Sequence, residues 1–281
     1  MYNFPIGVIL DSFRTDIPTA LAKAEAVGAN GLQVYATTGE MSPENLVGAK
    51  RKEFKDMVAS HGLEISALCG DLGEGFTNPQ KNPALIEKSK RILDLAVELG
   101  TNVVTTHIGV VPNDPRHPRY AIMQDACGEL AEYADSLNAH FAIETGPEVA
   151  TTLRCFLDGL HSTGVAVNLD PANFVMVTGD DPVRAVYTLR EYIVHTHAKD
   201  GVRFYAEDPI VVYSGHSAED VIVTSAAFEE KALGDGAGDF DRYLQALEDI
   251  GYRGYLTIER EVGDNPEADI AKAVAFLKSK F

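Results

Sequence analysis

Five times along this chain of 281 residues, an amphipathic stretch reaches a glycine and turns within two or three residues into a short apolar run. The copies are Ala26-Val-Gly28-Ala-Asn-Gly-Leu-Gln-Val-Tyr35, Ser60-His-Gly62-Leu-Glu-Ile-Ser-Ala-Leu68 and Glu98-Leu-Gly100-Thr-Asn-Val-Val-Thr-Thr-His107. Ser162-Thr-Gly164-Val-Ala-Val-Asn-Leu-Asp170 and Asp249-Ile-Gly251-Tyr-Arg-Gly-Tyr-Leu-Thr-Ile-Glu259 complete the set. A glycine in the left-handed conformation stops a helix, so each copy reads as helix, turn, strand. Helix starts are marked by Asp16 with Pro18, by Asn82-Pro83 and by Asp181-Pro182.

The spacing predicts helices near 17–28, 44–60, 83–99, 118–138, 150–162, 182–191, 239–250 and 266–279. It predicts strands near 6–10, 31–36, 64–69, 102–107, 140–144, 165–170, 193–198 and 254–260. Helical crossovers force successive strands to run parallel. Eight such units in this length fit a closed (β/α)8 TIM barrel, an α/β fold, better than an open sheet. No linker or charge block marks a second domain, so residues 1–281 read as one barrel domain. Long segments follow strand ends at Gly70–Asn82, Gly109–Pro118 and Gly201–Gly238, the face where barrels place chemistry.

Composition narrows the partners. A formal charge of −18 argues against nucleic acid and against an anionic membrane, both of which need a positive surface. Cys69, Cys127 and Cys155 are odd in number and widely spaced, as expected of reduced buried thiols. The run Ile6–Leu10 is too short for a signal peptide or a span, which makes the expectation a cytoplasmic protein.

Residues two apart on a strand share a face. One face carries Val103, Thr105 and His107; then Ala142 and Glu144; Ala166, Asn168 and Asp170; His195 and His197; and Thr257 and Glu259. The other parity is mostly apolar (Val194, Thr196 and Ala198 in the seventh strand) and suits the helices. The small and polar rows therefore face the barrel interior, ending at the mouth in His107, Glu144, Asp170, His197 and Glu259. Three carboxylates converging without a cation would repel strongly, and a divalent metal resolves this. Oxygen-rich ligands with one imidazole favour manganese (Mn2+) or Mg2+, with Co2+ or Zn2+ able to substitute. His197 lies nearest the mouth and is the expected ligand. His195, roughly 6–7 Å deeper, is expected either to support it or to be an ordinary core residue.

At these residues the chain resembles the sugar phosphate isomerase/epimerase superfamily of xylose isomerase-like barrels, with its ketose 3-epimerases, hydroxypyruvate isomerases and inosose dehydratases. The matching stretches are F-A-I-E-T (141–145), N-L-D-P-A-N (168–173), H-T-H-A-K-D-G (195–201) and L-G-D-G…G-Y-R-G-Y-L-T-I-E (233–259). The resemblance implies Glu144, Asp170, His197 and Glu259 as metal ligands, and Glu144 and Glu259 as the pair that moves a proton next to a carbonyl through an enediolate. It implies a small sugar or keto-sugar substrate and a homo-oligomer, dimer or tetramer. Asn173 stands where ketose 3-epimerases have a substrate-contacting histidine, and Ala150 where they have a glutamate, with Glu148 nearby. Arg203 falls six residues after His197, as a substrate-contacting arginine does there. Related endonucleases use a three-zinc cluster with extra histidines; Cys69, Asn173 and the acidic charge depart from it. The expected activity is an isomerase or epimerase. A lyase on the same site, dehydrating a keto-inositol or keto-sugar or eliminating from a 3-keto-glycoside, is the alternative, and a non-catalytic sugar-binding barrel a third.

Beyond the metal set, His107, Asn173, Lys199 and Arg203 are the candidate substrate contacts, Lys199 because it continues the inward parity past His197. The 201–238 segment, with Arg203, Tyr205, Tyr213 and His216, is either a lid or an oligomer contact. Phe13 and Phe76 follow strands and either stack on a sugar or pack; Arg14 adjoins the first. Gly234-Asp-Gly-Ala-Gly238 lacks the Lys-Ser/Thr of a phosphate loop and reads as a turn.

Overall fold

Strand β1 (Ile6–Ile9) hydrogen-bonds on one side to β2 (Gly31–Tyr35) and on the other to β10 (Leu256–Ile258), closing a parallel barrel. From β2 the ring continues through β3 (Glu64–Cys69), β4 (Val103–Thr106), β5 (His140–Glu144), β6 (Val165–Leu169) and β7 (Ile193–Ala198) back to β10. This computed structural model describes residues 2–213 and 225–281. Helices α1 (Ile17–Val27), α2 (Ala49–Ser60), α3 (Asn82–Leu99), α4 (Pro118–Ser136) and α5 (Ala150–Asp158) follow the first five strands. The short α6 (Pro171–Asn173) runs into a π-turn, Phe174–Thr178, and α7 (Pro182–Leu189) completes that crossover. Two further strands, β8 (Asp200–Arg203) and β9 (Phe228–Lys231), flank α8 (Pro209–Tyr213); α9 (Phe240–Asp249) and α10 (Pro266–Lys280) end the chain.

The expected barrel is present, and the departures have local causes. Asp16 and Asp181 cap α1 and α7 through the amides of Thr19 and Val183. Asn82 does not cap; it lies inside the first turn of α3, its Nδ2 donating to the Phe76 carbonyl at 3.1 Å. The helix expected from residue 44 begins only at Ala49, after Gly48 at φ 57°. Between β6 and β7 the register shifts, with Val167 opposite Ile193 and Asn168 opposite His195, so Val194 is the extra residue of a bulge. Val194 therefore packs with Ala67, Val103, Ala142 and Ala166 in a separate cluster, although alternation had placed it with the helix-facing residues. The 201–238 segment is not one loop: β8 and β9 pair antiparallel, Asp200 opposite Lys231 and Arg203 opposite Phe228. His216, a residue of the segment expected as a lid or an oligomer contact, lies outside the described residues. Tyr205 and Phe204 are exposed.

The glycine run becomes a cradle for the chain's own carboxylate. The amides of Gly201 and Gly238 donate to Asp200 Oδ1 at 2.9 and 3.0 Å, and those of Gly234 and Gly236 to Oδ2 at 3.1 and 2.9 Å. An anion is bound there, and it is internal. Cys69 and Cys127 are buried as expected, whereas Cys155 is exposed. Among the described residues no helix is long and apolar enough to cross a membrane.

The repeated glycines divide into two kinds. Gly28, Gly62, Gly100 and Gly251 have φ of 79°, 68°, 95° and 75°, the left-handed stop expected of them. Gly164 is different: a Cβ there would lie 2.0 Å from the Ala131 carbonyl oxygen and 2.4 Å from the Asp135 amide of α4. Gly164→Ala is expected to cost about 2–3 kcal/mol, roughly 4–12 °C in Tm. Gly62→Ala, which meets nothing within 4 Å, should cost about 1 kcal/mol for its backbone alone. Thermal denaturation of both variants checks this, and an equal loss would contradict the close seating of β6 on α4.

Candidate functional site

Four strand ends bring Glu144, Asp170, His197 and Glu259 together at the mouth, with one ligand atom from each lying within 4.8 Å of all the others. His197 Nδ1 is the hub: it lies 3.1 Å from Glu259 Oε2, 3.3 Å from Asp170 Oδ2 and 3.5 Å from Glu144 Oε1. All four residues are buried. Asp170 holds its place because its Oδ1 accepts from the Asn173 amide at 3.0 Å, capping α6 and leaving Oδ2 for the centre. Burial alone would hold the His197 imidazolium down, but the facing Glu259 and Glu144 carboxylates raise it well above the ordinary histidine value. A proton thus does for these carboxylates what a metal ion does better. Three oxygen ligands and one imidazole nitrogen fit a divalent cation of the manganese or magnesium class.

A layer beneath sets the tautomer. His197 Nε2 lies 2.9 Å from Gln33 Oε1, whose amide is oriented by Nε2 donating to Thr105 Oγ1 at 2.9 Å. The hydrogen on Nε2 points to Gln33, so loss of the Nδ1 proton would leave the Nδ1 lone pair facing the carboxylates, as a ligating histidine requires. Asn168 Nδ2 donates to Glu144 Oε2 at 3.1 Å, while Asn168 Oδ1 accepts from His195 Nδ1 at 2.9 Å. Thr257 Oγ1 meets His195 Nε2 at 2.9 Å. Burial, then the charge of His197, holds His195 well below the ordinary histidine value. His195 is a neutral buried residue with both nitrogens engaged, and His197 belongs to the centre.

Above the centre opens a cavity of about 610 Å³, within the range of ligand sites, lined by Glu144, Glu259, His107, Asn173 and Lys199 among others. His107 is fixed by Asp71, whose Oδ2 lies 3.0 Å from Nδ1; Nε2 is buried, has no hydrogen-bond partner among the described residues and lies 3.7 Å from Glu144 Oε1. Burial opposes its charge, yet Glu144 and Asp71 raise its pKa to about 10. Asn173 Nδ2 donates to Glu144 Oε1 at 3.3 Å and to the Thr145 carbonyl at 3.2 Å. Lys199 Nζ donates to Glu259 Oε2 at 2.9 Å and to Glu261, and lies 3.9 Å from Glu230 Oε2. It is committed to carboxylates.

Arg203 is the exception among the candidates. It is not part of the cavity wall: its Nε donates to the Tyr205 carbonyl at 3.2 Å, and its guanidinium fills the space where Gly179 lacks a side chain. Pairing of β8 with β9 directs it away from the mouth. Phe13 and Phe76 are core residues, the latter edge-on to Phe141, and neither lines the cavity. Arg14 and Tyr213 do, the tyrosine ring 5.5 Å from His107. Gln33, Asn168, Asp71, Glu230 and Glu261 were not singled out beforehand as site residues. Gln33 carries a readable signal, a lone amide on the inward parity of an apolar strand. Glu230 carries none, because its strand was not expected.

The sequence matches the family model described as xylose isomerase-like TIM barrel over residues 21–280. No curated protein matches the sequence. Among solved structures, a xylose isomerase domain protein from Planctomyces limnophilus superposes with a TM-score of 0.80 at 24% identity, covering 99% of this chain and 96% of that one. A probable 3-DHS dehydratase from Bacillus anthracis gives 0.75 at 18% identity, with 98% and 99% covered. A 3-keto-D-glucoside 4-epimerase from E. coli gives 0.73 at 15%, with 99% and 100% covered. At these identities the likeness is one of fold.

Glu148, beside this site, is buried with Oε2 accepting from the Val111 amide at 3.2 Å, and burial pushes its carboxyl up to about 8. A folded-state value above the ordinary 4.5 means its stabilising contribution is complete below that value and lost as pH rises through about 8. Glu148→Gln keeps an acceptor and cannot ionise. It should match the wild type near pH 5 and exceed it in unfolding free energy near pH 9, by an amount on the order of a few kcal/mol, with a higher Tm there. Equal melting curves at both pH values would contradict the buried neutral acid.

Proposed function

The chain belongs to the xylose isomerase-like TIM barrel family, and on that premise we propose that its cavity is the active site of a divalent-metal-dependent sugar or keto-sugar isomerase or epimerase. The observation that carries this reading is the convergence of three buried carboxylates on His197 Nδ1 at the floor of the cavity. Glu144, Asp170, His197 and Glu259 would hold the ion, which when bound supplies a Lewis acid that acidifies the C–H next to a carbonyl.

The proton transfers fall to Glu144 and Glu259. Burial opposes ionisation of both, but His107 and His197 hold Glu144 below the usual glutamate range, and Lys199 and His197 do the same for Glu259. Each is therefore an ionised base at neutral pH until it accepts a proton. Their settings differ. Glu144 is steadied by the amides of Asn168 and Asn173, Glu259 by the Lys199 ammonium. Removal of a proton by one and its return by the other inverts a carbon; return to the neighbouring carbon isomerises. The Nε2 of His107, protonated and without a hydrogen-bond partner among the described residues, would donate to a substrate oxygen.

That donor also favours one second reading, a lyase. A proton delivered to a β-hydroxyl instead of a carbonyl expels water after the same first step. The structural neighbours include both a probable dehydratase and an epimerase.

The test is incubation of the manganese-loaded protein with a panel of ketoses and keto-sugars in deuterium oxide. Deuterium should enter at the carbon beside the carbonyl, and mass spectrometry separates retained from lost water. Glu144→Gln and Glu259→Gln should each slow exchange by about 10²–10⁴-fold. Exchange unaffected by both variants would exclude them as the acid/base pair; binding without exchange would make the barrel non-catalytic.

A further inference from the structure

Among the described residues, the two most buried cations on the cavity wall, Lys199 and Arg260, are already paired with carboxylates. Lys199 lies between Glu259 and Glu261, with Glu230 at 3.9 Å, and its side chain is 4% exposed. Arg260 is held between Glu230, at 2.6 Å from Nη1, and Asp269, at 2.8 Å from Nε. His107 is held between Asp71 and Glu144. Arg14 donates from Nη1 to the Gly263 carbonyl and from Nη2 to that of Glu261, both at 2.7 Å. Among the described residues the cavity is lined meanwhile by the carboxyl side chains of Asp11, Asp71, Glu74, Glu144, Glu230 and Glu259. The net charge of the three carboxylates at the centre is not cancelled even by one divalent ion.

A phosphate or carboxylate on a substrate would enter this cavity facing like charge. To pair it with a buried cation, Lys199 or Arg260 would abandon a buried carboxylate, leaving that group uncompensated, which costs more than a surface ion pair returns, and Arg14 is held by carbonyls alone. Carboxylates that repel anions are good acceptors for sugar hydroxyls. Met176, Val177, Phe228 and Tyr213 add an apolar part of the lining, suited to the C–H face of a neutral ring. We infer that the substrate is an uncharged polyhydroxy carbonyl compound, and that phosphorylated and carboxylated sugars are excluded by charge. This rests on the reading of the cavity as a sugar site.

The strand β9 makes the exclusion. Glu230 accepts from the Glu261 amide at 3.2 Å and pairs Arg260, so it is the carboxylate that occupies the guanidinium a phosphate would need.

The experiment measures binding apart from turnover. The manganese-loaded full chain is titrated calorimetrically with matched pairs: D-fructose and D-fructose 6-phosphate, D-ribulose and D-ribulose 5-phosphate. At least one neutral member should saturate, with its phosphate ester at least tenfold weaker. Esters binding as tightly as their neutral partners, or no neutral member binding, overturns the inference. Glu230→Gln should narrow the ratio several-fold by freeing Arg260; an unchanged ratio overturns the charge explanation. Deuterium exchange run on the same pairs separates the two readings: neutral binding without exchange removes the isomerase and leaves this inference standing.

Discussion

Three carboxylates buried against one imidazole nitrogen cannot persist without positive charge between them, and the surrounding structure is arranged around that requirement. In low dielectric, like charges this close destabilise one another by far more than a fold can spare. The barrel answers from three sides. His197 presents Nδ1 to all three acids, Lys199 backs Glu259, and His107 backs Glu144. A divalent cation would replace a proton at the hub of an arrangement already built to hold it.

That economy explains the layering beneath the mouth. Ala67, Val103, Ala142 and Ala166 make a small apolar cluster, into which the bulged Val194 also packs. Gln33, Thr105, Asn168, His195 and Thr257 form a hydrogen-bonded layer with its polar atoms paired to one another. This layer fixes which nitrogen of His197 would keep its hydrogen when the proton facing the carboxylates is lost, and which oxygen of Glu144 faces Asn168. Two histidines two residues apart thus have opposite states: His195 kept neutral by burial, His197 kept charged by its neighbours.

Much of this was legible in the chain because strand parity is a rigid rule. Glu144, Asp170, His197 and Glu259 each end a polar row, and the rows meet when parallel strands close into a ring. The left-handed glycines at 28, 62, 100 and 251 announced the turns. What parity cannot foresee is a break in itself: the bulge at Val194 and the antiparallel pair β8–β9 both depend on partners distant in sequence. The hairpin explains the two largest misses together. It turns Arg203 away from the mouth and brings in Glu230, which no local pattern marks. Asp71 was missed for a simpler reason, since a carboxylate two residues past a strand is common and only its contact with His107 gives it meaning.

The central claim is that these four residues hold a divalent cation in exchange for a proton. Calorimetric titration of the metal-free protein with manganese near pH 7, in buffers of different ionisation enthalpy, counts ions bound and protons released together. The expected result is one saturable site per chain with net proton release, lost in His197→Gln. No saturable binding, or binding that releases no proton and survives His197→Gln, would contradict it.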